Sequence, residues 1–315
     1  MSVQSKRWGA LAGVAVAMVA TTGMAHPVPD AGRQAAGPPP PPGMELQHKS
    51  GTLATADHRF GQLACSTGKV ILGGGASVRT EDGAGGDGDL KFAALQPFDI
   101  GDSGNYIYSA NVYAKPGYTE PWALEMWALC GPKPPGYEHV RAAPATGDAH
   151  QLSRTVTCPA GKKLLAAGGM LTAASFEQRG RIALGAVRPA ANGTSALVTG
   201  FDDATDGDPT SQFTLHARGV CVTSPAGHQV VAGAASPLDS TAAKVRRATC
   251  SNGRLAYSFG LAKVDPAGHA YVDGATPEQL DTKGFPRRYA VRAEQKAPLQ
   301  DWSLQAHVIC ANPLD

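Results

Sequence analysis

The sequence predicts an all-β protein made of three homologous repeats of about 90 residues, each stapled by a disulfide bond. Three observations lead to this prediction. A cysteine-containing phrase recurs at an even spacing, the six cysteines divide equally among the repeats, and each repeat ends in a segment of alternating apolar and polar residues. Glycine (38 residues) and proline (24 residues) are also frequent, which is typical of short strands joined by many turns.

The opening phrase of each repeat is a cysteine followed three residues later by glycine. It begins at Cys65, Cys158 and Cys250, which are 93 and 92 residues apart. A further glycine recurs ten residues after each of these cysteines, namely Gly75, Gly168 and Gly260. A glycine within a strand usually marks a bulge or a close approach of two backbones.

The same period sets the repeat boundaries. Gly43, Gly136 and Gly227 lie 22, 22 and 23 residues before the opening cysteines, and each follows a proline closely. The predicted repeats are therefore 43–135, 136–226 and 227–315.

Inside the repeats the pattern is typical of strands, without a 3.6-residue apolar stripe long enough for a helix. Turn-forming residues separate six candidate strands in the second repeat. They are Tyr137–Val140, Arg154–Cys158, Lys163–Leu171, Arg181–Val187, Ala196–Phe201 and Phe213–Cys221.

The closing strand of each repeat alternates with a period of two and ends at the second cysteine. The face that carries the cysteine is apolar, and its bulkiest members are Trp122, Phe213 and Trp302. We place this face in the core. The opposite face is expected to be solvated and includes Trp127, His216 and His307. Trp127 is therefore the folded-region tryptophan that a ligand could reach.

Six cysteines in an exported chain predict three disulfide bonds, and the lack of a Cys-x-x-Cys pair disfavours zinc. Repeat symmetry selects the pairs Cys65–Cys130, Cys158–Cys221 and Cys250–Cys310. A second periodic arrangement stays open at this point: Cys130–Cys158, Cys221–Cys250 and Cys65–Cys310.

The N-terminus has the three parts of a secretory signal. These are a basic start at Lys6-Arg7, the apolar run Leu11–Val19 and the small-residue site Gly23-Met24-Ala25. We expect residues 1–25 to be the signal peptide and residues 26–42, which are rich in proline, to be disordered. The mature protein is then secreted, to the extracellular space or the periplasm, without a membrane anchor.

Composition and motifs exclude several functions. The formal net charge of +2 and the absence of basic runs argue against nucleic-acid binding. No nucleophile elbow, metalloprotease, Walker or dinucleotide-binding motif occurs, so we favour a protein that is not an enzyme.

Two acidic segments are candidates for cation binding, because calcium takes several carboxylate and carbonyl oxygens on a loop. The first contains Glu81, Asp82, Asp87 and Asp89. The second contains Asp202, Asp203, Asp206 and Asp208, and it is the metal site that we predict. Its spacing differs from that of an EF-hand, so a solvated turn is the alternative. We expect no cofactor besides calcium.

The phrases Cys158-Pro159-Ala160-Gly161-Lys162 and Gly73-Gly74-Gly75 resemble a Cys-Pro-Ala-Gly-Lys repeat found in secreted, largely uncharacterised bacterial proteins. The resemblance covers residues 43–315 and implies export and β architecture but no reaction. The first and third repeats replace Pro-Ala by Ser66-Thr67 and Ser251-Asn252. The architecture is also loosely similar to the threefold β-prism of egg-membrane and lectin-like proteins.

Two arrangements of the repeats are open: three small β-sandwich domains packed together, or a closed pseudo-threefold β-prism. We favour separate domains, because about 90 residues with one disulfide can support a core of their own.

The expected function is recognition of an extracellular ligand, such as glycan or cell-surface material, by a secreted binding protein. Alternatives are an extracellular enzyme that acts on polysaccharide through loop carboxylates, and a structural or inhibitory protein. We expect binding to use the segments that diverge between repeats, since loops on a rigid scaffold commonly carry function. These are Thr80–Asp89, Phe201–Gln212 and Gly268–Pro286.

Overall fold

The strands of the protein form three sheets. A computed structural model describes residues 43–83, 86, 88–100, 106–202, 212–251, 253–265, 270–295 and 300–314. The predicted signal peptide and the Pro-rich segment 26–42 lie outside these residues. Apart from one single-turn helix, the regular structure of the described residues is entirely β, so the all-β prediction is confirmed.

The first repeat contains β1 (Glu45–Ser50), β2 (His58–Ala64), β3 (Lys69–Thr80), β4 (Leu90–Asp99), β5 (Tyr106–Ala114) and β6 (Trp122–Pro132). The second contains β7 (Glu138–Arg141), β8 (Ala145–Gly147), β9 (Gln151–Thr157), β10 (Lys162–Ala173), α1 (Phe176–Arg179), β11 (Ile182–Pro189), β12 (Ser195–Asp202) and β13 (Phe213–Thr223). The third contains β14 (Gln229–Ala232), β15 (Ala243–Thr249), β16 (Leu255–Val264), β17 (Ala270–Leu280), β18 (Pro286–Gln295) and β19 (Ser303–Ala311).

Each sheet is shared by two repeats. Sheet A has the order β1-β6-β3-β17-β18-β15 and joins the first repeat to the third. Sheet B has the order β2-β5-β4-β10-β13-β7, with β8 also on β13, and joins the first to the second. Sheet C has the order β14-β19-β16-β11-β12-β9 and joins the second to the third. The three repeats therefore close into a pseudo-threefold ring.

This topology makes the preference for three separate sandwich domains wrong. Each repeat divides its strands between two sheets, so no repeat has a complete sheet of its own. The described residues accordingly belong to one compact unit. The closed threefold arrangement is the one that the chain adopts.

The recurring glycines explain how the repeats meet. A Cβ atom on Gly75 would lie 2.3 Å from the carbonyl oxygen of Ala275, and one on Gly168 would lie 2.1 Å from that of Leu95. In both cases the neighbouring backbone belongs to the adjacent repeat. The expectation of a close backbone approach is confirmed, and it occurs where two repeats share a sheet.

The three disulfides join Cys65 to Cys130, Cys158 to Cys221 and Cys250 to Cys310, with Cα–Cα distances of 5.6, 5.7 and 5.7 Å. These are the pairs within repeats. Each bond connects the residue after a strand of one sheet to a closing strand of another sheet. In the chain-entropy view, loops of this length give about 4 kcal/mol of stabilisation per bond.

All six strands predicted in the second repeat are present, whereas β8 and α1 were not predicted. The helix is short and starts with a capping box in which the Ser175 side chain accepts a hydrogen bond from the Gln178 backbone. The segment Gly268–Pro286 was expected to be a loop but is mostly strand β17. A β-bulge between Val272 and Gly274, together with Pro277 inside the strand, hides the alternation in the sequence.

Neighbouring repeats also exchange side-chain hydrogen bonds near their cysteines. The Tyr137 hydroxyl donates to the Ile71 carbonyl of the preceding repeat at 2.9 Å. The equivalent His228 ring nitrogen donates to the Leu164 carbonyl at 2.8 Å. Because Ile71 and Leu164 each precede a β-bulge, these bonds satisfy carbonyl groups at sites where the strand ladder is interrupted.

His139 should make the fold sensitive to acid. It lies beside Tyr137 and stacks on Tyr106 at 5.0 Å, and burial, aided by Arg141 and Arg218, lowers its pKa to about 4. Between this value and the ordinary pKa of about 6.5, the unfolded chain binds a proton that the folded protein does not. Stability should therefore fall as the pH drops below about 6.5, by about 1 to 2 kcal/mol at pH 5.

We expect His139→Leu to remove this part of the pH dependence, because the first repeat has Leu46 at the equivalent position. Urea unfolding at about pH 7.5 and about pH 5 measures it. His150→Gln, at an exposed position of the same repeat, is the control. An unchanged difference between the two pH values in His139→Leu would contradict this assignment.

Candidate functional site

The described ends of the divergent segments Thr80–Asp89 and Phe201–Gln212 lie at one end of the molecule, whereas β17, which makes up most of Gly268–Pro286, runs from that end to the other. The last residue of β3, Thr80, pairs with the first of β6, Trp122, and Ala173 pairs with Phe213 in the same way. The connections that follow β3, β10 and β16 therefore lie at the same end as those that precede β6, β13 and β19. We name this the loop end and the opposite one, which carries the opening cysteines, the cysteine end.

A surface cavity of about 280 Å³ opens on sheet A, where the first and third repeats meet. Its polar and aromatic lining comes from β3, β6, β17 and β18 and includes Ser77, Arg79, Glu125, Trp127, Asp273 and Arg292. We name it the Trp127 cavity. It brings together the outward tryptophan and parts of two divergent segments, since Gly83 of the first loop also lines it.

Small residues at the strand junction create the space. Gly274 of β17 pairs with Ser77 of β3, and a Cβ atom on Gly274 would lie 2.6 Å from that of Ser77. The bulge on β17 falls at Asp273, so the backbone turns locally and its carboxylate lines the cavity. Because Gly274 has no side chain and Ser77 has a short one, the surface along them is lower than the larger side chains on either side, which form the walls of the cavity.

Two ion pairs form those walls. Arg79 Nε lies 2.9 Å from Glu125 Oε1, on the side of the first repeat. On the side of the third repeat, Arg292 Nε lies 3.6 Å from Asp273 Oδ2, and the same guanidinium binds the buried Glu294. The Arg292 Nη1 also contacts the Gly83 carbonyl at 3.4 Å, which connects the loop after β3 to β18. Each cation that lines the cavity thus faces a carboxylate.

Trp127 is partly exposed and belongs to the wall formed by β6. The ring of His48 on β1 stacks on it, with centroids 5.1 Å apart and an angle of 12° between planes. His48 does not line the cavity, so it supports the indole from outside. A supported aromatic side chain loses little conformational freedom when a ligand binds.

The residues that line this cavity differ from those at the equivalent positions of the other two junctions. At the junction of sheet B, Arg218 replaces Trp127 and packs over the Phe98 ring at 4.3 Å, and Met170 replaces Ser77. At the junction of sheet C, His307 takes the place of Trp127 and is buried. The strand framework repeats three times, but the residues that form the Trp127 cavity do not.

Other aromatic and histidine predictions have mixed outcomes. Trp122 and Trp302 are fully buried, as expected, and their indole N–H groups donate to the carbonyls of Ala56 and Thr241. His216 is partly exposed, but the expectation of a solvated His307 is wrong. His307 pairs with Gly260, and Pro189 of the adjacent repeat packs over that glycine.

The structure describes one residue of the predicted calcium site. Asp202 is buried at the end of β12, with its carboxylate 3.7 Å from Arg181 Nε. Asp203, Asp206 and Asp208 lie outside the described residues, so calcium binding there stays a prediction. In the first acidic segment, Glu81 and Asp82 are exposed, and the Thr80 hydroxyl donates to Asp82. Asp87 is also outside the described part.

Another cluster of metal-ligand types is explained without a metal. Glu45, Cys65 and Cys130 lie close together, but both sulfur atoms belong to a disulfide and cannot act as thiolate ligands. The Glu45 carboxylate instead accepts hydrogen bonds from Ser66 and Lys69, which contribute to a pKa of about 2 although burial acts in the opposite direction.

Sequence reasoning missed Arg79 and Arg292, and it included Asp273 and Thr276 only as members of the divergent segment Gly268–Pro286. One signal was present: Asp273 stands where the other repeats have Ala93 and Gly185, so a carboxylate replaces a small residue at a strand bulge. This signal becomes visible only when the three repeats are aligned strand by strand.

No protein-family model matches this chain, and no curated protein is significantly similar to it. No helix within the described ranges is long and apolar enough to cross a membrane.

Proposed function

We propose that the protein is a non-enzymatic binding protein that recognises an uncharged sugar residue of an extracellular glycan in the Trp127 cavity. One observation carries the proposal: a supported, partly exposed indole lies beside two guanidinium–carboxylate pairs around a low floor. The volume of about 280 Å³ is near the lower end for small-molecule sites and suits a single sugar ring.

The chemistry of the walls matches a polyhydroxylated ligand. Hydroxyl groups can donate to Glu125 and accept from Arg79 and Arg292, while the C–H face of the ring packs on Trp127 and the buried Asp273 holds Arg292 in place. Charged hydrogen-bonding groups make the stronger of such bonds. Because the lining cations are already matched by carboxylates, the cavity favours a neutral ligand over an ionic one.

An enzyme that cleaves polysaccharide is less well supported. Glycoside hydrolysis needs one carboxyl group that carries a proton and a second that is ionised. In the Trp127 cavity both lining carboxylates are held in ion pairs with guanidinium groups, and the Asp273 side chain is buried, so the structure does not present two free carboxyl groups across a cleft. The geometry therefore supports binding without turnover, although a structural or inhibitory role remains the alternative if no glycan binds.

Secretion is part of the same proposal. Three disulfides are consistent with an oxidising compartment, where such bonds persist. The signal-like N-terminus adds support from the sequence. Mass spectrometry of the exported protein that found residues 1–25 still present would contradict cleavage after Ala25.

A glycan array with the disulfide-bonded protein tests the function. We expect binding to glycans with an accessible neutral sugar, and a loss of about tenfold or more in affinity for Trp127→Ala, since a central aromatic contact is removed. Phe60→Ala, which removes a more exposed ring of the same repeat outside this cavity, should bind like the wild type. Equal affinity of Trp127→Ala and wild type, or no bound glycan, would reject the proposal.

A further inference from the structure

A second and larger cavity lies at the cysteine end, where the second and third repeats meet. It measures about 540 Å³, and its polar lining includes Lys163, Asn192, Ser224, His228, Gln229 and Arg254. Three of these side chains are basic, and no carboxylate of the described residues lines the cavity. We name it the basic cavity.

The basic groups have only neutral hydrogen-bond partners among the described residues. Lys163 Nζ donates to the Asn192 carbonyl at 2.8 Å, and Arg254 Nη1 donates to Gln229 Oε1 at 2.5 Å. His228 binds the Leu164 carbonyl through Nε2. Lysine and arginine each carry several N–H donors, so these bonds leave donors for a ligand. Within the part of the chain that the structure describes, no carboxylate pairs with Lys163 or Arg254 at this site.

Comparison with the other repeats shows what is unusual about Arg254. The equivalent Lys69 binds Glu45 at 2.8 Å, and the equivalent Lys162 binds Glu138. In all three repeats this partner pairs with the closing cysteine, but in the third repeat it is Gln229. The framework thus has a neutralised cation at two junctions and an unneutralised one at the third.

The other two basic residues of the cavity, Lys163 and His228, replace uncharged residues of the other repeats. Lys163 stands at the position of Val70 and Leu255, which are buried core residues of the other repeats. His228 corresponds to Met44 and Tyr137. Two replacements by basic residues and the replacement of a glutamate by Gln229, all in one cavity, are not required by the fold, which forms at the other junctions without them.

We infer that the basic cavity binds an oxyanion group of a ligand, such as the phosphate, sulfate or carboxylate of a modified sugar. Anionic oxygens would accept charge-assisted hydrogen bonds from Arg254 and Lys163, which have no carboxylate partner among the described residues. This site lies at the opposite end from the Trp127 cavity, and its ligand is charged rather than neutral. The inference does not depend on the proposed function.

The variant that tests this inference most directly is Gln229→Glu. It installs the carboxylate that the first and second repeats carry beside their opening cation, so it is compatible with the fold. It removes no ligand-binding cation but neutralises Arg254. We expect it to weaken phosphate binding about tenfold or more. Lys163→Val, which restores the residue of the first repeat, should have a similar effect.

The experiment is an NMR titration of the full disulfide-bonded chain with inorganic phosphate at low ionic strength, followed through the His228 ring signals. Lys162→Gln is the matched control, because Lys162 has the equivalent position but lies outside this cavity and already pairs with Glu138. We expect saturable shifts in the wild type and in this control, and much weaker binding in Gln229→Glu and Lys163→Val.

Parallel titrations with glucose 6-phosphate, glucose 6-sulfate, glucuronate and glucose identify which oxyanion is preferred. Preference for any charged sugar over glucose supports the inference and names the group. It is overturned if no oxyanion gives saturable shifts, if glucose binds as well as the charged sugars, or if Gln229→Glu binds phosphate as tightly as the wild type. Loss of a glycan ligand from the Trp127 cavity would leave these outcomes unaffected.

Discussion

A polypeptide of residues 136–226, with its Cys158–Cys221 bond formed, is expected to be unfolded as a monomer. In the full chain its strand β10 pairs with β4 of the first repeat, and β11 pairs with β16 of the third. The isolated repeat would expose both strands and the apolar surface behind them. A segment of about 90 residues is marginal even with a complete core, and this one has only part of a shared core.

Amide NMR dispersion and sedimentation of this polypeptide measure the outcome, with the full chain in the same buffer as the control. A folded monomer with a cooperative thermal transition would contradict the shared-sheet architecture. A folded trimer would not, because three identical copies could exchange half-sheets in the way that the three repeats do. Verification of the disulfide by mass excludes reduction as the cause of unfolding.

Of the three glycines that stand ten residues after the opening cysteines, Gly168 should tolerate alanine least, and Gly168→Ala should lose about 3 kcal/mol or more of stability. The added Cβ atom would lie 2.1 Å from the Leu95 carbonyl oxygen and 2.6 Å from Gln96 Cα. Both atoms are backbone of the adjacent repeat and cannot move without disturbing sheet B. The clash therefore separates two repeats rather than displacing one side chain.

Chemical denaturation of the variant gives the free energy of unfolding. Gly147→Ala is the matched control, because its added Cβ would have only an ordinary contact, 3.4 Å from a Leu152 methyl group. We expect it to change stability by about 0.5 kcal/mol or less. A Gly168→Ala variant as stable as the Gly147→Ala variant would show that the junction tolerates side chains.

The sequence predicted those features of the fold that repeat. The recurring cysteines and glycines, and the alternation that ends at Cys130, Cys221 and Cys310, each appear three times and so exceed chance. The sharing of sheets could not be predicted in this way. A strand such as β3 has the same alternation whether its neighbour is β17 or a strand of its own repeat, since the pattern records which face is buried and not which strand is adjacent.

The sites were harder to predict for the opposite reason. Trp127 was found because its outward register is visible within a single strand, whereas Arg292 and Asp273 reach it only through the pairing of Gly274 with Ser77. The charge of the basic cavity depends on a missing carboxylate, because Gln229 stands where the other two repeats have a glutamate. Such a change has meaning only when the salt bridges at Lys69 and Lys162 are known.

The pairing of Gly274 with Ser77 also has a consequence for the order of folding. Almost two hundred residues of chain separate these partners, so the ring has a high contact order and its last junction cannot form until the third repeat is available. Until then β3 presents an unpaired edge, the kind of surface that recruits strands from other molecules. The third repeat thus protects the first, and the slow step in folding is expected to be closure of the ring rather than formation of any single hairpin.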